Sequence, residues 1–278
     1  MNIIQAVILG AVEGITEFLP VSSTGHLTIV EKLFGFDIAA DDITAFTAII
    51  QSGAVLATLI FLRKDLIRIV VAWFKGLFSA AGRENPDWKY AWAVILGSIP
   101  VVIVGATFQD TVEHTLRSLW FIAGALIIWS GAMAFADHAA TQIRHSDDVT
   151  WKDTLIIGVV QCLALIPGVS RSGATMSAGL LRDLDRVTVT KLSFFLSIPA
   201  LFGATVLQVH DYSGEIADGV GWTNTAAATL VSFIVGYAAV AWLLKFISRH
   251  SYSIFIAYRL VLGALLAVLL ATNTISAK

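Results

Sequence analysis

The chain has 278 residues, of which 57% are hydrophobic and 14% charged, and its mean hydropathy is +0.80. A soluble domain carries roughly 25% charged residues, so this chain cannot cover itself in water and reads as an integral membrane protein. A net charge of −2 excludes nucleic acid as a partner, and the single cysteine, Cys162, excludes a disulfide framework or a multi-cysteine metal site.

In chain order, the apolar N-terminal stretch lacks a basic leader and runs directly into Glu13 and Glu17, so it is expected to be mature structure rather than a signal peptide. Residues 3–19 break at Pro20, and a short helical piece over 24–34 follows. Spans of roughly bilayer length come next: Ile43 to Leu62, Tyr90 to Phe108 and Ser118 to Ala136. Residues 154–166 break again at Pro167-Gly168, with a short helical piece over 171–182. Three more spans close the chain, Leu192 to Val209, Ala226 to Leu244 and Ile254 to Thr272, and only the last holds a charge, Arg259.

The two broken regions align at an offset of 148: Gly10 with Gly158, Val12 with Val160, Glu13 with Gln161, Ser22 with Ser170 and Gly25 with Gly173. The expected fold is therefore an all-α polytopic membrane protein of one domain, 1–278. It has six full transmembrane helices plus two re-entrant helical hairpins, in an inverted-topology repeat of about 1–140 and 150–278. Of the 18 Lys and Arg residues, 13 fall in one alternate set of loops; Lys32, Arg117 and Lys278 fall in the other. The positive-inside rule makes the first set cytoplasmic. The first hairpin then dips in from outside and the second from the cytoplasm, so their tips can meet near the midplane.

Three groups carry candidate chemistry. Glu13 and Glu17 share one helix face at membrane depth, where ionisable groups are costly and usually functional; a divalent cation or a shared proton would relieve their repulsion. Ser22-Ser23-Thr24-Gly25-His26 sets hydroxyls three and four residues from an imidazole, an arrangement for nucleophilic or general acid–base catalysis. The same residues also suit a helix N-cap with a packed neutral histidine. In Pro167-Gly168-Val169-Ser170-Arg171-Ser172-Gly173-Ala174-Thr175, small residues let amides converge at a helix start, while Arg171, Ser170, Ser172 and Thr175 add donors for phosphate oxygens. No Walker ending is present. Arg259 has two readings, pairing with a carboxylate or snorkelling; Gln51 and Gln161 either line the cavity or bond between helices, the commoner use.

Residues Glu13 to His26, Pro167 to Thr175, and Phe46 with Gln51 closely resemble the BacA/UppP family of undecaprenyl-diphosphate phosphatases, known also for bacitracin resistance. The resemblance covers essentially the whole chain. It implies hydrolysis of undecaprenyl diphosphate to the monophosphate and inorganic phosphate, recycling the lipid carrier for peptidoglycan and other wall polymers. It also implies a bacterial plasma (inner) membrane, an active site facing the periplasmic or outer side, and a divalent cation (Mg2+ or Ca2+). By position, Glu17, Ser23, His26 and Arg171 would be catalytic. Ser22, Thr24, Gly168, Ser170, Ser172, Gly173 and Thr175 would bind the diphosphate, and Glu13 with Glu17 would hold metal. Two nucleophiles stay open, Ser23 with His26 as base or a His26-activated water. Oligomeric state is open too, a homodimer included. The rival function is an inverted-repeat transporter or flippase of a lipid phosphate or anion.

Overall fold

The computed structural model describes residues 1–108 and 118–277. Arg117 and Lys278, two of the cations assigned to the outer side, lie outside the described residues. Among those residues the chain is helical with no strand; one isolated bridge joins Arg144 to Leu184. In order the helices are α1 (Ile3–Thr16), α2 (Ser23–Leu33), α3 (Asp41–Phe61), α4 (Arg63–Phe78), α5 (Ala80–Arg83), α6 (Pro86–Thr107), α7 (Leu119–Ala139), α8 (Trp151–Gln161), α9 (Arg171–Leu180), α10 (Arg186–Asp218), α11 (Trp222–Ile247) and α12 (Ser253–Ala271).

The starts follow local chemistry. Asn2 and Gln5 bond each other's amides at the head of α1, and Thr150 with Asp153 does the same for α8. Asn85 caps α6 just before Pro86, whose missing N–H is harmless at the first helical position. α1 stops at Thr16 because Pro20 has no N–H to extend the ladder; Pro167 plays the same part after α8 and the short 3-10 turn Cys162–Leu165.

Six helices, α3, α6, α7, α10, α11 and α12, are long and apolar enough to cross a membrane, one at each expected span. Large apolar side chains such as Ile128, Phe135, Val261 and Val268 stand on the outer surface, as a lipid-facing belt requires. The protein is therefore a multi-pass membrane protein. Two boundaries differ from expectation. Residues 63–89, left between two expected spans, contain α4 and α5 and the start of α6. α4 alternates Arg63, Lys64, Arg68 and Lys75 with exposed Ile67, Val70, Phe74 and Phe78, so its amphipathic period was masked by its charge. α10 continues to Asp218, past the expected end at Val209, with a kink at Tyr212. Asp211, Glu215 and Asp218 depress the hydropathy of a segment that is nevertheless held by buried Ile216.

The broken regions form two helix–turn–helix units, α1–α2 and α8–α9. α1 packs on α11, and α8 packs on α6. At the first contact Gly10 lies against the Ala228 carbonyl; at the second, Gly158 lies against the Gly97 carbonyl. Any side chain at either glycine would strike backbone, so the matched pair at offset 148 marks matched close approaches. Phe18 and Phe194 meet edge to face, centroids 4.9 Å apart, in the core beneath the two turns.

The two outer ends of the second unit are tied by Asp153, whose side chain is fully buried. Arg144 binds it through two nitrogens at 3.0 and 2.6 Å, Arg182 at 2.9 Å and the Thr150 hydroxyl at 2.7 Å. Burial opposes ionisation, but these donors outweigh it and hold the carboxyl well below the usual carboxylate range. A carboxyl depressed in the folded state stabilises above its unfolded value, about 3.9, and loses that contribution as pH falls toward the folded value. Asp153→Asn is expected to lower stability by about 3 kcal/mol at pH 7. The gap from the native chain should be constant above pH ~5 and shrink below pH ~4, as read by thermal unfolding in detergent.

Candidate active site

Both turns end on a serine in the left-handed region, Ser22 with φ 75° and Ser170 with φ 76°. Serine adopts that conformation only when its surroundings impose it. Each then caps the helix it begins: Ser22 Oγ accepts from the Gly25 amide at 3.3 Å, and Ser170 Oγ accepts from the Gly173 amide at 3.2 Å. The remaining first-turn amides of α2 and α9 have no partner within their helices. Residues 22–24 and 170–171 line one cavity, so two positive helix ends converge on it.

What holds the turns together is Arg259 of α12, which is fully buried. Its Nη2 donates to the carbonyls of Gly168 (3.0 Å) and Val169 (3.1 Å), its Nη1 to the Pro20 carbonyl (3.4 Å), and its Nε to Ser130 Oγ (3.2 Å). Neither sequence reading of Arg259 is realised: among the described residues it contacts no carboxylate, and it does not reach a surface. A second tie runs from Ser172 Oγ to the Leu19 carbonyl at 2.8 Å. The signal available in the sequence was a lone charge inside an otherwise apolar span.

The cavity measures about 340 Å³. Its polar end presents Glu17, Ser22, Ser23, Thr24, Ser170 and Arg171; its apolar end lies between α6 and α10, with Val101, Val102, Leu201 and Leu207. Ser23 Oγ donates to Glu17 Oε2 at 2.5 Å, and Arg171 Nη2 donates to Glu17 Oε1 at 3.0 Å. Arg171 also lies over the Phe18 ring, 5.2 Å from its centroid. The fold thus joins a carboxylate and a hydroxyl from the first turn to a guanidinium from the second.

Other expected site residues sit elsewhere. His26 does not pair with a serine hydroxyl: its Nδ1 meets the Ser22 carbonyl at 2.7 Å, and its Nε2 meets the Tyr258 hydroxyl at 2.6 Å, with the two rings stacked. The i, i+4 spacing brought His26 to the backbone of Ser22, and Ser23 turned to Glu17 instead. Ser172, Gly173 and Thr175 support the turn rather than line the cavity; Thr175 Oγ1 donates to Ser193 Oγ at 2.6 Å. Gly168 lines the cavity with φ 98°. Ser193, Phe18 and Tyr258 were not singled out from sequence, since each acts across a long separation.

Glu13 is fully buried beside Glu17, its carboxyl facing that of Glu17 and receiving no N–H or hydroxyl donor among the described residues. A carboxyl pair this close fits a divalent cation or a shared proton. Among the described residues no three His, Cys, Asp or Glu side chains cluster for a metal. Such a cation would complete its shell with substrate oxygens, as Mg2+ commonly does.

Residues 6–265 match the family model described as bacitracin resistance protein BacA. The chain is 67% identical to undecaprenyl-diphosphatase 3 of Frankia casuarinae and 50% identical to undecaprenyl-diphosphatase of Cutibacterium acnes, each alignment covering all of both chains. It is 50% identical to undecaprenyl-diphosphatase 1 of Streptomyces avermitilis over 99% of each chain.

Arg259→Met keeps the apolar stem but leaves three turn carbonyls without their donor. It is expected to reduce stability by about 3 kcal/mol or more in detergent unfolding. Arg259→Lys should recover only part, because one ammonium cannot span both turns as the planar fork does. An unchanged melting temperature in Arg259→Met would contradict the clamp.

Proposed function

The chain belongs to the bacitracin resistance protein BacA family, and from that membership and the site we propose that it hydrolyses undecaprenyl diphosphate to undecaprenyl phosphate and inorganic phosphate. The observation that carries the reading is the convergence of Glu17, Ser23 and Arg171, drawn from two separate turns, on one cavity with an apolar end. We place the reaction in the bacterial plasma membrane, with α1–α2 and α8–α9 as oppositely inserted re-entrant hairpins and the polar end open to the outer side. The relatives' name favours hydrolysis over the carrier reading.

In this reading the polyprenyl tail leaves along the apolar wall between α6 and α10, and the diphosphate occupies the polar end. Arg171 supplies a planar pair of donors to its oxygens, and the starts of α2 and α9 add amide donors and positive ends. Ser23 attacks the terminal phosphorus and passes its proton to Glu17, its hydrogen-bond partner. The bond from that phosphorus to the bridging oxygen breaks, and undecaprenyl phosphate leaves. Water then cleaves the phosphoserine, releasing inorganic phosphate and restoring Ser23. His26 positions the attack by holding the Ser22 carbonyl. Glu13 and Glu17 would hold a divalent cation, which supplies charge neutralisation at the phosphate oxygens.

Purified protein in detergent is expected to release one phosphate per undecaprenyl diphosphate. Arg171→Ala and Ser23→Ala should each lower kcat by about 100-fold or more while the protein stays folded. Absence of phosphate release by the native chain would refute the reading, and near-native turnover by Ser23→Ala would refute its nucleophilic role. Chelation should abolish turnover, and added Mg2+ or Ca2+ should restore it. Glu13→Gln should raise the metal concentration needed for half-maximal rate by about tenfold. Full activity in chelator would remove the metal from the mechanism.

A further inference from the structure

Gln161 closes α8 at the edge of the cavity. It is fully buried and lines the cavity, yet neither its amide nitrogen nor its amide oxygen has a hydrogen-bond partner. The interhelical bond expected of a polar residue in a span is therefore absent. An unpaired buried amide is unfavourable, and methionine or leucine of similar bulk would fill the same space without that penalty. The residue makes sense when the occupant of the cavity completes it.

The chemistry of the occupant follows from the lining. Arg171 is the one cation and Glu17 the one carboxylate among the described lining residues; the other polar groups are hydroxyls and amides. A phosphate presents only acceptors, and the Gln161 amide offers two N–H donors without adding charge. The matching position in the first half, Glu13, is also buried, with its carboxyl facing that of Glu17. The matched helix ends therefore carry different groups: a carboxylate behind the site on α1 and a neutral donor on its wall in α8.

Resting on the hydrolase reading above, we propose that Gln161 is a diphosphate-binding residue whose amide N–H group donates to a phosphate oxygen of the lipid substrate. Its neutrality is part of the role, because a carboxylate there would repel the diphosphate and stand unpaired beside it.

The test compares the full-length native chain with Gln161→Met and Gln161→Glu, by thermal unfolding in detergent and by kcat and KM for phosphate release from undecaprenyl diphosphate. Gln161→Met is expected to melt no lower than the native chain, since an unpartnered polar group is gone. Its kcat/KM should fall about tenfold or more, mainly through KM. Gln161→Glu should fall further. A packing role alone predicts native kcat/KM in Gln161→Met, and that result overturns the proposal, as does a Gln161→Glu variant with native KM. If the native chain turns over and Gln161→Met matches it, only this assignment fails. If the native chain releases no phosphate, the hydrolase reading fails first and this assignment with it.

Discussion

A helix that breaks inside a membrane protein leaves carbonyls that lipid cannot satisfy, and here one guanidinium serves two such breaks. Arg259 donates to Pro20 in the first turn and to Gly168 and Val169 in the second. Non-helical backbone at that depth survives only when protein or a wet cavity surrounds it. The clamp meets that condition and also sets the distance between the turns. Ser172 reinforces it from α9 by reaching the Leu19 carbonyl. Because Glu17, Ser23 and Arg171 ride on or beside those same turns, the backbone solution and the geometry of the cavity's polar end are one arrangement.

That arrangement explains how a few charges coexist in an apolar interior. Arg171 and Glu17 pair at 3.0 Å, Ser23 takes the other carboxylate oxygen, and Phe18 backs the guanidinium. The pairing keeps both charges satisfied before substrate arrives and leaves them facing the cavity. Buried pairs of this kind contribute little to net stability; under the proposed function their value lies in preorganisation, with donors already aimed where phosphate charge would sit. The two serine caps serve the same end, since their left-handed backbone aims the starts of α2 and α9 at one volume.

The matched packing of α1 on α11 and of α8 on α6 supports this geometry from behind. Gly10 and Gly158 allow each first half-helix to approach a spanning helix at backbone contact, and these contacts hold the half-helices that carry Glu13 and Gln161. Farther out, Asp153 gathers Arg144 and Arg182, so the outer ends of α8 and α9 are held together.

Much of this was legible from local chemistry. Long uncharged runs located the six spans because crossing lipid demands about 20 apolar residues, and Pro20 and Pro167 marked the breaks because proline cannot extend a helix. Glu13 and Glu17 stood out because ionisable groups are expensive at membrane depth, Arg171 because it follows small residues at a helix start, and Ser23 through the family resemblance. The amphipathic α4 and the polar end of α10 were not legible, since charge on one face lowers mean hydropathy without unmaking a helix. Nor were the partnerships. Spacing alone offered His26 to Ser22 and Ser23, whereas tertiary packing gave its ring to a backbone carbonyl and Tyr258, and gave Ser23 to Glu17. Arg259 lies 239 residues from Pro20 and about 90 from Val169, separations across which no local periodicity carries information. Sequence by itself determined which groups are buried, because burial in lipid follows from composition. Which group each one meets was decided only when the two turns were brought together, because a hydrogen bond depends on distance and direction in three dimensions.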